Sequence, residues 1–261
     1  MNKQLFENLL KDLLKSNSSR KLVLAGKAGY DSVEAYKTSL ETALKGFESD
    51  PKTIKPKAEK LTIHVVDILD TSQSMTGGKI QNATKGINEG IKALKKDESV
   101  KYTYSLCTFS STVDFYHKQA DIQTVNAVSF SARGMTALRD AIGDTLTYLK
   151  DNVKSTDKVL VNIYTDGEEN ASRRYSSTQI EQLTETLQAQ NFTITFIGTE
   201  NDVATVVKDF KIKPSNTLAY DGTAKGLGET ITVTLDSRSF YTESALLGKD
   251  VSGGFYKNIK K

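Results

Sequence analysis

Five oxygen-bearing side chains fall into three short clusters of the sequence. In the first cluster, Asp70, Ser72 and Ser74 occupy alternate positions, which lets one loop turn their three side chains toward a common centre. Hydroxyl and carboxylate oxygens are the ligands that hard divalent cations such as Mg²⁺ or Mn²⁺ prefer. The sequence therefore predicts a metal site if the three clusters meet. The candidate ligands are Asp70, Ser72, Ser74, Thr136 and Asp166.

The composition excludes most other kinds of active site. Cys107 is the single cysteine, so an internal disulfide and a Cys-rich zinc module are both excluded. With His64 and His117 as the two histidines, neither a multi-His metal site nor a Ser-His-Asp triad is expected. Two residues separate Asp67 from Asp70, which does not match the Asp-x-Asp loop of phosphatases. We therefore expect no catalytic activity, with His64 and Cys107 packed in strands and His117 exposed after an edge strand.

The elements that must position the five side chains alternate between strands and helices from residue 61 onward, which is typical of a parallel sheet covered on both faces. Ligands bind such sheets beyond the carboxyl ends of the strands, and each of the three clusters lies at a predicted element boundary. The pattern predicts a three-layer, Rossmann-like α/β fold with a mostly parallel central sheet, one antiparallel edge strand and helices on both faces. The expected strands cover residues 61–69, 102–109, 113–116, 158–165, 192–197 and 217–220.

The two ends of the chain differ from this α/β pattern. Residues 1–50 predict a helical extension with helices at 3–15 and at 31–47, the second capped by Asp31 and Glu34, and a short strand at 21–25. Prolines indicate a linker at residues 51–60, before a main domain at 61–236. Within that domain, residues 223–235 are ambiguous between helix and strand. Residues 237–261 show no clear period and are expected to form an irregular tail.

Charge and hydropathy narrow the range of partners and locations. The net charge is +3, with net basic ends around a net acidic central part, unlike the concentrated basic face of a nucleic-acid-binding protein. No apolar run approaches the roughly 18 residues that a membrane span requires. The first residues are polar and include acids, unlike a signal peptide. We therefore expect neither nucleic-acid nor membrane binding, and a cytoplasmic location.

Over residues 61–235 the three clusters resemble the von Willebrand factor A family with its metal-ion-dependent adhesion site. The segment that follows Asp166 is most similar to small intracellular bacterial and phage members. The resemblance implies that Ser72, Ser74 and Thr136 coordinate Mg²⁺ or Mn²⁺ directly, and that Asp70 and Asp166 act mostly through waters. Because these direct ligands are neutral, the ion would keep enough charge to bind an Asp or Glu of a partner protein. The implied function is metal-dependent protein binding in an adaptor or assembly role.

Alternative interpretations remain for the site and for the function. Asp70 and Ser72 could cap the next helix and Thr136 another, with Asp166 in a turn, which would require no convergence. Residues 168–170 could shape the rim of the site or form a solvated turn. The chain could also be a structural or assembly component of a phage particle, or a partner subunit of an AAA+ ATPase.

Overall fold

The computed structural model describes residues 3–15, 25, 31–48 and 60–257. The chain divides into two compact units, residues 1–60 and residues 61–261. The second unit contains all five candidate metal ligands.

The first unit contains helices α1 (Lys3–Lys15) and α2 (Val33–Glu48), as predicted. The N-terminal cap of α2 is Ser32 and not Asp31, because the Ser32 hydroxyl accepts the Ala35 N–H at 3.1 Å. Of the strand predicted at residues 21–25, only Ala25 is described, and it is helical. The linker predicted at residues 51–60 lies outside the described residues except for its last position. A small apolar core is formed by Leu13, Ala25, Tyr36 and Leu40.

The second unit is built on a six-stranded sheet with the order β3-β2-β1-β4-β5-β6. The β2/β3 pair at one edge is antiparallel and the other pairs are parallel, which confirms the predicted sheet. Near-continuous apolar runs favour central strands because both faces of a parallel sheet are buried. The strands are β1 (Thr62–Asp70), β2 (Lys101–Phe109), β3 (Val113–Asp121), β4 (Lys158–Tyr164), β5 (Phe192–Gly198) and β6 (Thr217–Ala219).

Helices cover both faces of the sheet, and the sheet separates the core into two apolar clusters. Alternate residues of β1 point to opposite faces, so that Val65 belongs to one apolar cluster and Val66 to the other. The Val65 cluster includes the apolar faces of α3 and α7, and the Val66 cluster those of α4, α5 and α6. This arrangement confirms the three-layer α/β fold. The helices are α3 (Lys79–Lys96), α4 (Leu138–Asn152), α5 (Ser177–Gln188), α6 (Glu200–Asp209) and α7 (Ala224–Leu246).

The C-terminal segment differs from its prediction, because α7 continues ten residues past the expected end of the main domain at residue 236. The ambiguous stretch before that point is also helical. The hydroxyls of Thr230 and Thr234 donate to backbone carbonyls one turn earlier, which lets these β-branched residues sit in the helix interior. Close packing on α3 stabilises the helix, since a Cβ on Gly86 would lie 2.2 Å from Ile231 Cγ2. Tertiary contact therefore overrides a weak local helical signal.

Strand β3 is longer than predicted and includes His117, which pairs with Leu106 of β2 and is partly buried. A bulge lengthens the pairing, with Gln119 at φ 47° and its N–H donating to Ser105 Oγ at 2.9 Å. His64 is buried as expected, with Nε2 3.0 Å from Asp157 Oδ2. Cys107 is likewise a buried core residue of β2, where desolvation raises the pKa of its thiol to about 12.

The sheet order places a topological switch point between β1 and β4. From β1 the chain continues to β2 on one side, and later returns to β4 on the other side of β1. The connections therefore leave a crevice at the carboxyl ends of β1 and β4, where ligands bind in sheets of this kind. Asp70 ends β1, and Asp166 lies two residues beyond the end of β4.

Candidate metal centre

Asp70 connects the ends of two neighbouring strands. Its Oδ1 accepts the Ser72 N–H at 2.7 Å, and its Oδ2 accepts the hydroxyl of Thr165, just after β4, at 2.5 Å. The residue is fully buried. Its carboxylate is thus held in one orientation by groups from two loops.

Burial raises the pKa of Asp70 from 3.8 to about 6. The hydrogen bonds from Thr165 and Ser72 lower this pKa, and the nearby charge of Asp166 raises it. Desolvation disfavours the ionised carboxylate, whereas a positive charge placed beside it would favour ionisation. The electrostatic environment of Asp70 therefore suits a bound cation.

The serine loop (residues 71–76) follows β1 and brings two hydroxyls together. Ser72 Oγ lies 2.9 Å from Ser74 Oγ, across the start of a short 3-10 turn at Gln73–Met75. Met75 is fully buried and anchors the turn. The N–H of Gln73 donates to the carbonyl of Gly134 at 3.0 Å, which joins this loop to the segment that carries the third hydroxyl.

Thr136 is fixed by the loop that follows β4. Its N–H donates to Asn170 Oδ1 at 2.9 Å, and its carbonyl accepts the N–H groups of Asn170 and Ala171 at 3.0 and 3.1 Å. The threonine is buried, at 3% exposure. The polar side chain of Asn170 thus shapes the rim, as one of the two interpretations of residues 168–170 proposed.

Gly167 shows that the clusters converge. A Cβ at this position would lie 2.9 Å from Ser74 Oγ, 3.0 Å from Thr136 Oγ1 and 3.5 Å from Asp70 Oδ2. The three oxygens therefore surround one small space that glycine leaves open. Because each oxygen lies within 3.5 Å of the same point, the three oxygens are close to one another. A side chain at residue 167 would fill this space.

Asp166 directly precedes Gly167, and its side chain is only 1% exposed. Its Oδ2 accepts a hydrogen bond from the ammonium group of Lys79, which also donates to the carbonyl of Ser74 at 3.3 Å. Its Oδ1 is buried and has no hydrogen-bond partner among the described residues. A buried carboxylate oxygen without a partner is costly, and a ligand at the site would offset that cost.

These features fit a hard divalent cation. The donor set combines neutral hydroxyls with two carboxylates, all oxygen, which is the set that Mg²⁺ and Mn²⁺ select. The space over Gly167 and the unpaired Asp166 Oδ1 are where such an ion would be expected to interact. The oxygens of Ser74, Thr136 and Asp70 that surround this space, and Ser72 beside Ser74, are among the five ligands predicted from the sequence.

The capping interpretation of the clusters is wrong. The N-terminal cap of α3 is Gly78, and that of α4 is Ala137. Ser72 occupies the N-cap position of the 3-10 turn instead of that of α3, but its side chain makes no capping hydrogen bond there, and Thr136 lies one residue before the cap of α4. Their polar atoms are directed to one another and to the neighbouring loops, so local helix capping does not explain them.

Sequence reasoning missed Lys79, the cation that contacts Asp166. A signal was present, because Lys79 begins α3 and a basic residue at a helix N-terminus opposes the helix dipole. The lysine also follows Gly77 and Gly78, which both have positive φ and turn the chain sharply into the helix. An acidic partner from another element offsets the unfavourable position of this lysine, and here Asp166 is that partner.

Two acidic side chains order the loop after Asp166 without facing the open space. Glu169 accepts the N–H groups of Arg139 and Ser172, both at 2.8 Å. Burial raises the pKa of Asp140, but hydrogen bonds from the backbone N–H groups of residues 173–175 and from the Arg174 side chain lower it below its ordinary value. Glu169 thus stabilises the loop, whereas Glu168 is exposed at the rim of the pocket.

Comparison with protein families decides the identity of the fold. The model of the von Willebrand factor type A domain matches residues 64–230, which is more than half of the chain. The chain belongs to the von Willebrand factor type A domain family. Domains of this family typically mediate protein interaction or adhesion, and they often bind a divalent metal. No curated protein matches the sequence significantly.

Solved structures with the same fold are distant in sequence. Proximal thread matrix protein 1 from the mussel byssus shares 15% identity at a TM-score of 0.50, covering 78% of this chain and 52% of its own. The PilB minor pilin from Streptococcus sanguinis shares 12% identity at a TM-score of 0.51, covering 71% and 63%. This von Willebrand factor A chain thus spans less than two thirds of either structure, and the likeness concerns the fold. Among the described residues, no helix combines the length and the hydropathy that a membrane span needs.

Proposed function

We propose that this von Willebrand factor A domain binds Mg²⁺ or Mn²⁺ and through it an acidic side chain of a partner protein, without catalysis. The observation that carries the proposal is the convergence of Ser74, Thr136 and Asp70 oxygens on the space over Gly167. Ser72 and Asp166 would complete the ligand set. The family membership supports a protein-binding role in general terms.

The charges of the ligand set favour an anionic partner group. Ser72, Ser74 and Thr136 contribute no charge, and Asp166 already carries an ion pair with Lys79. When bound, the ion supplies positive charge and a coordination position for a carboxylate oxygen. In a partly desolvated pocket this attraction is stronger than in bulk water. An Asp or Glu side chain is the protein group that fits it.

The rim gives such a side chain access to the site. Ser74, Gly134 and Asn170 are exposed and line a surface pocket together with the buried Thr136. Met135, next to Thr136, is 52% exposed and offers an apolar contact beside the polar centre. A partner segment with an acidic residue and an apolar neighbour fits both features.

Calorimetric titration of the full chain with MgCl₂, and separately with MnCl₂, tests the metal site. We expect saturable binding that Thr136→Ala weakens at least about tenfold. The matched control is Thr205→Ala on α6, where an exposed threonine hydroxyl donates to the carbonyl of Asn201 one turn earlier. Equal metal affinity of the wild type, Thr136→Ala and Thr205→Ala would overturn the metal site.

Affinity capture from the native host tests the partner role. The captured protein should be released by a chelator and should not bind Thr136→Ala, whereas Thr205→Ala should retain it. A purified partner then allows each of its acidic residues to be replaced by the corresponding amide. Binding that is unaffected by both the chelator and Thr136→Ala would move the binding surface elsewhere on the domain.

A further inference from the structure

Lys79 places a positive charge inside the candidate metal centre. Its ammonium group contacts Asp166 Oδ2 and donates to the Ser74 carbonyl at 3.3 Å, so it bridges the loops that follow β1 and β4. The Asp166 side chain is 1% exposed, while that of Lys79 is 21% exposed. The pair is therefore buried at the carboxylate and retains a path to solvent at the lysine.

Helix α3 does not by itself explain this lysine. The first turn of the helix holds no acidic side chain within the described residues, and a cation there opposes the helix dipole. The last turn, in contrast, carries Lys95 and Lys96, where cations are favoured. The cost at Lys79 is offset by Asp166, which would otherwise be a buried charge without a cationic partner.

We infer that Lys79 is an internal cation that competes with the divalent ion for Asp166 and thereby sets the metal affinity of the site. This inference rests on the proposed metal-binding function. An ion among Ser74, Thr136 and Asp70 would lie near the ammonium group and be repelled by it. The ion must then bind against this repulsion, or the lysine must withdraw from Asp166 by turning its long side chain toward solvent. Either route weakens binding, so the site would load only at elevated metal concentration.

The opposite role makes the opposite prediction. If Lys79 positions Asp166 for the ion, its removal should loosen the carboxylate and weaken binding. Competition follows from charge: Lys79 already pairs with the Asp166 carboxylate through Oδ2, so an ion that binds the unpaired Oδ1 gains less attraction from that carboxylate and is repelled by the ammonium group. The sign of the affinity change on removing the lysine charge therefore separates the two roles.

The experiment is calorimetric titration of the full chain with MgCl₂, comparing wild type, Lys79→Met and Lys85→Met. Methionine keeps the apolar stem and removes the charge. Lys85 is the matched control, because it lies on the same helix with its side chain 76% exposed and pairs only loosely with Glu89 at 4.0 Å. We expect Lys79→Met to tighten Mg²⁺ binding roughly tenfold or more, and Lys85→Met to leave it within about twofold.

Melting curves in a chelator and in saturating MgCl₂ provide a second readout. Without metal, Lys79→Met should melt below wild type, because Asp166 loses its partner, and its rise in melting temperature on adding metal should be larger. Lys79→Gln tests the same loss of charge if the methionine variant does not fold. Lys79→Arg keeps the charge and should bind Mg²⁺ as weakly as wild type.

The possible results separate this inference from the proposed function. Unchanged or weaker Mg²⁺ binding by folded Lys79→Met and Lys79→Gln would overturn the competition while leaving the metal site in place. Absence of binding by wild type and by every Lys79 variant would overturn the metal site and the competition together. Binding by Lys79→Met alone would support both.

Discussion

The Thr165 hydroxyl donates a 2.5 Å hydrogen bond to Asp70 Oδ2, and this bond joins the ends of β1 and β4 beneath the candidate metal centre. Both residues are fully buried. Thr165→Val keeps the shape of the side chain but removes the donor. We expect this variant to lose about 1–3 kcal/mol of unfolding free energy, because Asp70 loses a buried hydrogen bond.

Urea unfolding in a chelator measures this loss, with the exposed Thr205→Val as the control. Since the Thr165 hydrogen bond lowers the pKa of Asp70, its removal should also weaken Mg²⁺ binding near neutral pH. Unchanged stability and unchanged metal affinity in Thr165→Val would contradict the structural role assigned to this bond.

Asp70 makes the stability of the metal-free domain depend on pH. Its pKa is raised from 3.8 to about 6, so between these values the folded state binds more protons than the unfolded state. The contribution of Asp70 to stability is therefore fully present below pH 3.8 and is lost as the pH rises through 6. In chelator, wild type should show this loss and Asp70→Asn should not.

Chemical denaturation at a series of pH values between 4 and 8, chosen around the two pKa values, measures the difference. The same ionisation should make Mg²⁺ affinity fall when the pH drops through 6, because protonated Asp70 no longer attracts a cation. A metal affinity that is constant from pH 7.5 to 5 would argue against Asp70 as part of the site.

Gly167→Ala should remove metal binding while the domain remains folded. The added methyl group would lie 2.9 Å from Ser74 Oγ and 3.0 Å from Thr136 Oγ1, in the space proposed for the ion. The control is Gly228→Ala on α7, where the nearest atom to the new Cβ, Asn82 Nδ2, is 3.6 Å away. Calorimetry should detect Mg²⁺ binding in the control only, and binding by both variants would place the ion elsewhere.

Gly86→Ala should destabilise the contact between α3 and α7. Its Cβ would meet Ile231 Cγ2 at 2.2 Å, so we expect a loss of roughly 1–3 kcal/mol from overpacking. Ile231→Ala in the same chain should restore part of the loss, because the clashing methyl group is removed. A double mutant less stable than the sum of the two single changes would contradict close packing of α7 on α3.

Local sequence patterns were sufficient for most of the fold. Apolar runs in β1 and β4 and three-to-four spacing in α3 and α4 predict strands and helices without tertiary information. They failed in α7, where threonines and glycines give a weak helical signal and packing against Gly86 decides the outcome. The predicted end of β3 at residue 116 was also too early. The strand continues through a bulge at Gln119, which is held by the Ser105 hydroxyl of another strand and so leaves no local signal.

For the site, residue types and order along the chain were enough to name the five oxygens, because parallel strands bring their carboxyl ends to one edge. The chemistry of the candidate ligands and the edge of the sheet at which they lie therefore follow from local patterns alone. The packing of the loops sets how near these oxygens come, leaves room among them at Gly167, and lets Lys79 reach Asp166 from another element. The physical reason is that a local pattern specifies backbone conformation and burial, whereas contacts across 87 residues depend on how the loops pack.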